Sequence, residues 1–82
     1  MNITFRQLRV FVEVAQHQSM ARAAETLHLS APAVSMQIKE VEAHVGLSLF
    51  DRHGRQVSLS TAGEYFLVHA RRLLADLKEA DN

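Results

Sequence analysis

Between Leu27 and Glu42 the chain reads LHLSAPAVSMQIKEVE. Wound as a helix, this stretch sets Pro32, Ser35, Met36 and Lys39 within about a quarter turn of one direction, opposite Val34, Ile38, Val41 and Val45. A hydroxyl, an ammonium, a thioether and a proline ring on one exterior face offer hydrogen bonds, positive charge and apolar contact. They offer no nucleophile with its base. With no cysteine in the chain, disulfides, thiolate metal ligation and a cysteine nucleophile are all excluded. The five histidines, at 17, 28, 44, 53 and 69, include no i, i+4 pair able to grip a metal from one helix turn, and they read as scattered surface residues. No glycine-rich phosphate loop or paired catalytic groups appear. The expectation is a binding module that is not an enzyme and carries no metal or cofactor.

The chain of 82 residues, 48% apolar, is sized for one small domain whose single core removes only about 60% of the unfolded surface from water. No apolar run approaches the ~18 residues of a membrane span and the N-terminus lacks a signal-peptide pattern, so the expected location is cytoplasmic, with no membrane partner. Nine basic and nine acidic side chains cancel. That balance argues mildly against nucleic-acid binding, which favours a basic excess. Through Gly63, Arg6, Arg9, Arg22, Lys39, Arg52 and Arg55 stand against Glu13, Glu25, Glu40, Glu42 and Asp51. Any basic surface must therefore come from arrangement.

The elements that would position these groups announce themselves by their caps. Thr4 and Gln7 form a capping box with Ile3 and Leu8 as staple, opening a helix with the stripe Phe5, Leu8, Phe11, Val12 and Ala15 that runs to about Gln16. Ser19 caps a two-turn helix from Met20 to Leu27, in which Ala23 and Ala24 allow close approach. After a short turn, Ser30 caps the third helix, with Pro32 in the first turn where a missing amide is harmless. Two helices joined by so few residues have the layout of a helix-turn-helix. Gly46 ends the third helix, and Leu47, Leu49 and Phe50 return to the core. A tight turn at residues 51–56 joins extended pieces at 49–52 and 56–59, a two-stranded wing. Thr61 and Glu64 form a capping box for a last helix whose apolar positions Phe66, Ala70, Leu73, Leu77 and Ala80 make a seam, widened by Leu67 and Leu74, longer than so small a body covers. The far end is expected to pack on its copy in a second chain; a frayed tail cut from a longer protein is the alternative. The fold class is thus mainly α: a winged helix-turn-helix of three helices and a two-stranded wing over 1–60, then a long linker or dimerisation helix over 61–82.

At this point the residues are recognisable. The chain resembles the N-terminal DNA-binding domain of LysR-type transcriptional regulators through Leu8, Phe11, Ala23, Ala24 and Leu27; Ser30 and Pro32 to Ser35; Gln37, Ile38 and Glu42; Gly46, Leu49, Phe50 and Arg52; and Leu59 and Thr61 to Gly63. The match covers nearly the whole chain, and Pro32 to Gln37 with Lys39 and Glu42 looks most like regulators of carbon-dioxide fixation operons. The resemblance implies sequence-specific binding to double-stranded promoter DNA, and an effector-binding domain that is absent from this chain, which looks like an isolated domain. It also implies a homodimer through the last helix and a tetramer in the full-length protein.

In such proteins the recognition helix, here 31–45, enters the major groove, and the wing, here 51–57, carries an arginine into the minor groove. Ser30, Ala31, Pro32, Ser35, Met36 and Lys39 are the candidate contacts on the helix, and Arg52 and Arg55 those on the wing. The family commonly has glutamine and arginine where this chain has Ala31 and Met36, so two hydrogen-bonding readers are replaced by side chains suited to thymine methyls, and specificity leans on the wing and on DNA shape. Arg52 suits either a phosphate or a structural ion pair with Glu42 or another carboxylate. Arg6, Ser19 and Arg22 are candidate phosphate contacts, although Ser19 and Ser30 are already explained as caps and Arg6 equally as a solvated charge. A helical dimerisation or partner-binding module without DNA would explain the neutral charge and the long seam. It would not explain a lysine, serine and proline face beside an arginine-tipped turn.

Overall fold

The computed structural model describes residues 3–81; Met1, Asn2 and Asn82, the ends of the two expected segments, lie outside them. The elements run α1 (Phe5–His17), α2 (Met20–Leu27), α3 (Ala31–Val45), β1 (Phe50–His53), β2 (Gln56–Leu59) and α4 (Thr61–Asp81). The Thr4 capping box forms: Thr4 Oγ1 accepts from the Gln7 backbone N–H at 3.1 Å, and Gln7 Oε1 accepts from the Thr4 N–H at 3.1 Å. Ser19 and Ser30 likewise accept, at 3.2 Å, from the N–H groups of Arg22 and Ala33. These local bonds satisfy amides that the first helical turn leaves open.

Phe11, completely buried, is the centre of the core. Its ring lies 5.0 Å from that of Phe66, edge to face, and 5.2 Å from that of Phe50, tilted by 47°. Both are favourable aromatic geometries. Around it close Leu8, Val10 and Val14 of α1, Ala23 and Ala24 of α2, Val34, Ile38 and Val41 of α3, Leu49, Val57 and Ala70.

Three expectations about packing are corrected. Phe5 is 47% exposed: it is the first helical residue, its side chain leans back beyond the helix start, and no preceding turn covers it. The buried face of α1 takes in Gln7, Val10 and Val14 instead, because α1 packs against all three other helices and so buries a wider arc than one stripe. Leu47 is 58% exposed, and only Leu49 and Phe50 return to the core. The cap of α4 is Ser60, one residue earlier than expected, with Ser60 Oγ accepting from the Gly63 N–H at 3.0 Å and the Ser60 carbonyl from the Glu64 N–H at 2.9 Å.

The wing is an antiparallel hairpin in the register Phe50–Leu59, Asp51–Ser58, Arg52–Val57, His53–Gln56. Gly54 and Arg55 form its two-residue turn, with positive φ at Gly54 alone. That pattern is the type II′ turn, whose twist matches the strands. The hairpin is tied to the helices by a 3.1 Å bond from the Val57 N–H to the Gln18 carbonyl.

Candidate nucleic-acid interface

Burial divides α3 into two faces. Val34, Ile38 and Val41 are at most 1% exposed, while Ala31, Pro32 and Lys39 are exposed, Ser35 is half-buried and Met36 is 60% exposed. The exterior face is therefore presented to whatever α3 meets, and Met36 is not a core residue. The turn before α3 is held without glycine. His28 sits at φ 58°, ψ 41°, and its N–H and that of Leu29 return to the carbonyls of Glu25 and Ala24. The left-handed residue closes α2 and redirects the chain into α3 within three positions.

Ser30 is exposed at the N-terminus of α3 and Ser19 half-buried at that of α2. Each oxygen accepts a helix amide, which leaves the O–H free to donate, so capping and phosphate contact are compatible. Arg55 stands at the exposed tip of the hairpin. Arg52 is exposed on β1 and does not pair with Glu42. The Glu42 carboxylate is instead engaged by the Leu49 N–H at 2.7 Å and the Ser48 hydroxyl at 3.4 Å, since its position in the last turn of α3 aims it at the loop that follows.

The arrangement resolves the neutral total charge. Of the acids up to Gly63, Glu42 is held by that loop, Glu40 accepts from Gln7 Nε2 at 2.8 Å, and Glu13 pairs with His17 at 3.2 Å. The Glu13–His17 contact is the one close pairing of an acidic with a basic side chain among the described residues, so Arg6, Arg22, Lys39, Arg52 and Arg55, all exposed, enter none there. Three of these five acids are taken up by the protein while Glu25 and Asp51 stay exposed, so up to Gly63 the available cations outnumber the available acids, which is how a chain of zero net charge presents positive charge locally. Sequence reading missed Gln7 and Glu40 as partners. Gln7 already had a complete explanation as a cap, and nothing local signals a bond spanning 33 positions.

On α4 the expected seam divides. Ala70 is completely buried in the chain's own core and Phe66 packs edge to face with Phe11, so these two are committed within the chain. Leu67 and Leu74 pack against the same core. Leu73 is 48% exposed, Leu77 is half-buried and Ala80 exposed. Leu77 lines an open cleft of about 400 Å³ with Arg9, Leu74 and Lys78. Among the described residues there is no group of three metal-ligating side chains, and no helix is long and apolar enough to cross a membrane.

A capped helix-turn-helix, an exposed face on its second helix and an arginine-tipped hairpin define a winged helix-turn-helix DNA-binding domain. The chain belongs to the LysR family of bacterial regulatory helix-turn-helix proteins, whose family model matches residues 5–64. It is 51% identical over 79 residues to the transcriptional regulator CfxR of Cupriavidus necator, covering 96% of this chain and 25% of that protein. It is also 51% identical over 81 residues to the RuBisCO operon transcriptional regulator of Allochromatium vinosum, covering 99% and 27%. The chain thus spans about a quarter of the length of these curated relatives. Its fold is similar to that in the crystal structure of the CbnR_DBD-DNA complex, with a TM-score of 0.92 and 40% identity over 95% of this chain and 90% of that one. The BenM_DBD/benA site 1 DNA complex gives 0.89 and 34% over 94% and 86%.

Proposed function

We propose that this chain binds double-stranded promoter DNA as a homodimer, with α3 in the major groove and the wing tip in the minor groove. It would act within a cytoplasmic regulator that carries an effector-binding domain and assembles as a tetramer. The observation that supports this reading is that Arg6, Arg22, Lys39, Arg52 and Arg55 are exposed and unpaired among the described residues, while Glu40 and Glu42 of α3 are engaged by Gln7 and by the loop after α3. Ser30 and Ser35 supply hydroxyl donors, and Ala31, Pro32 and Met36 supply apolar contact to thymine methyls. Lys39 and Arg52 suit phosphates, and Arg55 suits the negative potential of a narrow minor groove. The likeness to the RuBisCO operon regulator supports a target operon of carbon-dioxide fixation. The dimer is expected to form through the exposed part of α4, Leu73, Leu77 and Ala80.

A gel-shift titration on promoter fragments across salt concentrations tests the reading. With about four phosphate contacts per chain, affinity should fall on the order of 10³-fold or more between 50 and 200 mM salt. No binding to any fragment would sink it and leave a partner-binding module without DNA, and binding indifferent to salt would overturn the proposed phosphate contacts.

Arg55→Ala should weaken binding chiefly on A/T-rich flanks, because those grooves are narrowest; equal loss on G/C-substituted flanks would count against minor-groove insertion. Met36→Arg should change base preference while altering the melting temperature by no more than about 4 °C, as for an exposed position. A drop beyond about 8 °C would show that Met36 packs inward.

A further inference from the structure

Glu40 follows Met36 by one turn of α3, about 40° around the helix axis from it, and so borders the face proposed to meet DNA. A carboxylate at that border repels phosphates. Its side chain is exposed, yet its Oε2 accepts a 2.8 Å hydrogen bond from Gln7 Nε2. Gln7 is only 8% exposed, and its amide has no freedom to turn over. Oε1 is already used by the Thr4 N–H, and the Gln7 backbone N–H by Thr4 Oγ1, so the NH₂ group can point only toward α3. One glutamine therefore closes the cap of α1 and holds a carboxylate of α3.

We propose that Gln7 is a positioning residue for DNA recognition: it draws the Glu40 carboxylate toward α1 and away from the groove-facing side of α3, keeping an anion out of the space that phosphates occupy. The same bond ties the first turn of α1 to the middle of α3 and steadies the angle at which α3 is presented. This inference rests on the DNA-binding reading above.

The test uses the 82-residue chain, a duplex that the parent chain selects from random sequence, gel-shift affinities and parallel thermal melts. Gln7→Glu keeps an oxygen to accept the Thr4 N–H, so the cap survives, but it sets a second carboxylate against Glu40. DNA affinity should fall about tenfold, a coupling of the size contacting residues show. Combining Gln7→Glu with Glu40→Gln rebuilds an amide–carboxylate bond with its ends exchanged and should bring affinity within about twofold of the parent. Gln7→Met releases Glu40 without adding charge; its loss of affinity should vanish in a Glu40→Ala background, whatever it does to the melting temperature. A glutamine that served only as the cap of α1 would show neither rescue.

The proposal is overturned if Gln7→Glu binds DNA like the parent, or if the loss persists unchanged with Glu40→Gln or Glu40→Ala. A parent chain that selects no duplex would overturn the DNA-binding reading together with this one. That result differs from a parent that binds while its variants fail to couple.

Discussion

Gly63→Ala should lower the melting temperature by about 10 °C or more, the largest effect expected of any single methyl group in this chain. A Cβ built on Gly63 overlaps the Leu49 carbonyl oxygen and comes within 3.0 Å of both the Leu49 carbonyl carbon and Leu59 Cδ2. The obstacle is backbone and cannot swing aside. Nor can the segments part cheaply, because the Leu49 carbonyl also accepts from the Ser60 N–H at 3.0 Å, and Ser60 Oγ donates to the Ser48 carbonyl at 2.7 Å while accepting from the Gly63 N–H. Making room means giving up the bonds that join the loop after α3 to the start of α4, or overpacking the site at about 2 kcal/mol. For a domain of this size each kcal/mol is worth about 4–8 °C. Gly46→Ala and Gly54→Ala are the controls. Nothing lies within 4 Å of either, and the cost there is only the left-handed backbone, at φ 83° and 63°, about 1 kcal/mol each. Circular dichroism melts decide the matter, and a Gly63→Ala chain that melts within about 3 °C of the parent would refute the steric account.

Changing Leu73 and Leu77 together to aspartate is expected to turn the proposed dimer into monomers in sedimentation velocity at micromolar concentration. Neither residue belongs to the buried core, so the fold should survive, whereas a comparable change at Phe66 or Ala70 would unfold the chain before it tested the interface. Two carboxylates placed where apolar surface is to be covered must be desolvated without partners, a cost that opposes association. Losing the second chain removes the effective-concentration advantage on a two-half-site operator. Affinity for a palindromic duplex should then fall on the order of 10²-fold while a single half-site is bound as before. An unchanged dimer would mean that this part of α4 is not the interface.

How much was legible in the sequence follows the reach of each interaction. The caps at Thr4, Ser19 and Ser30 span three positions, and the side chain, its spacing and the bond it makes are all local; the same holds for Gly46 closing α3. Alternation of Val57 and Leu59 and the short turn before them were enough to place a hairpin, although β1 starts and ends one residue later than expected. The two faces of α3 were readable because helical periodicity alone separates Val34, Ile38 and Val41 from Pro32, Met36 and Lys39. The cap of α4 went astray because Ser60 and Thr61 are adjacent and equally able to cap; the choice fell to Ser60 through its further bond to Ser48, twelve positions away.

By itself, then, the sequence determined the helices, the turn between α2 and α3, the wing and the exterior face, since each rests on periodicity or on a bond within a few residues. The tertiary structure alone decided which apolar residues the body would claim. Phe66 and Ala70 went to the core because α1 packs against α4 there, and Leu73 was left 48% exposed. It also decided the charges. Composition counts acids and bases equally, but only packing brought Gln7 to Glu40 and Leu49 to Glu42, and left Arg52 and Arg55 unpaired among the described residues. Local electrostatics depend on which side chains meet across distant segments, and the spacing of residues along the chain does not carry that information.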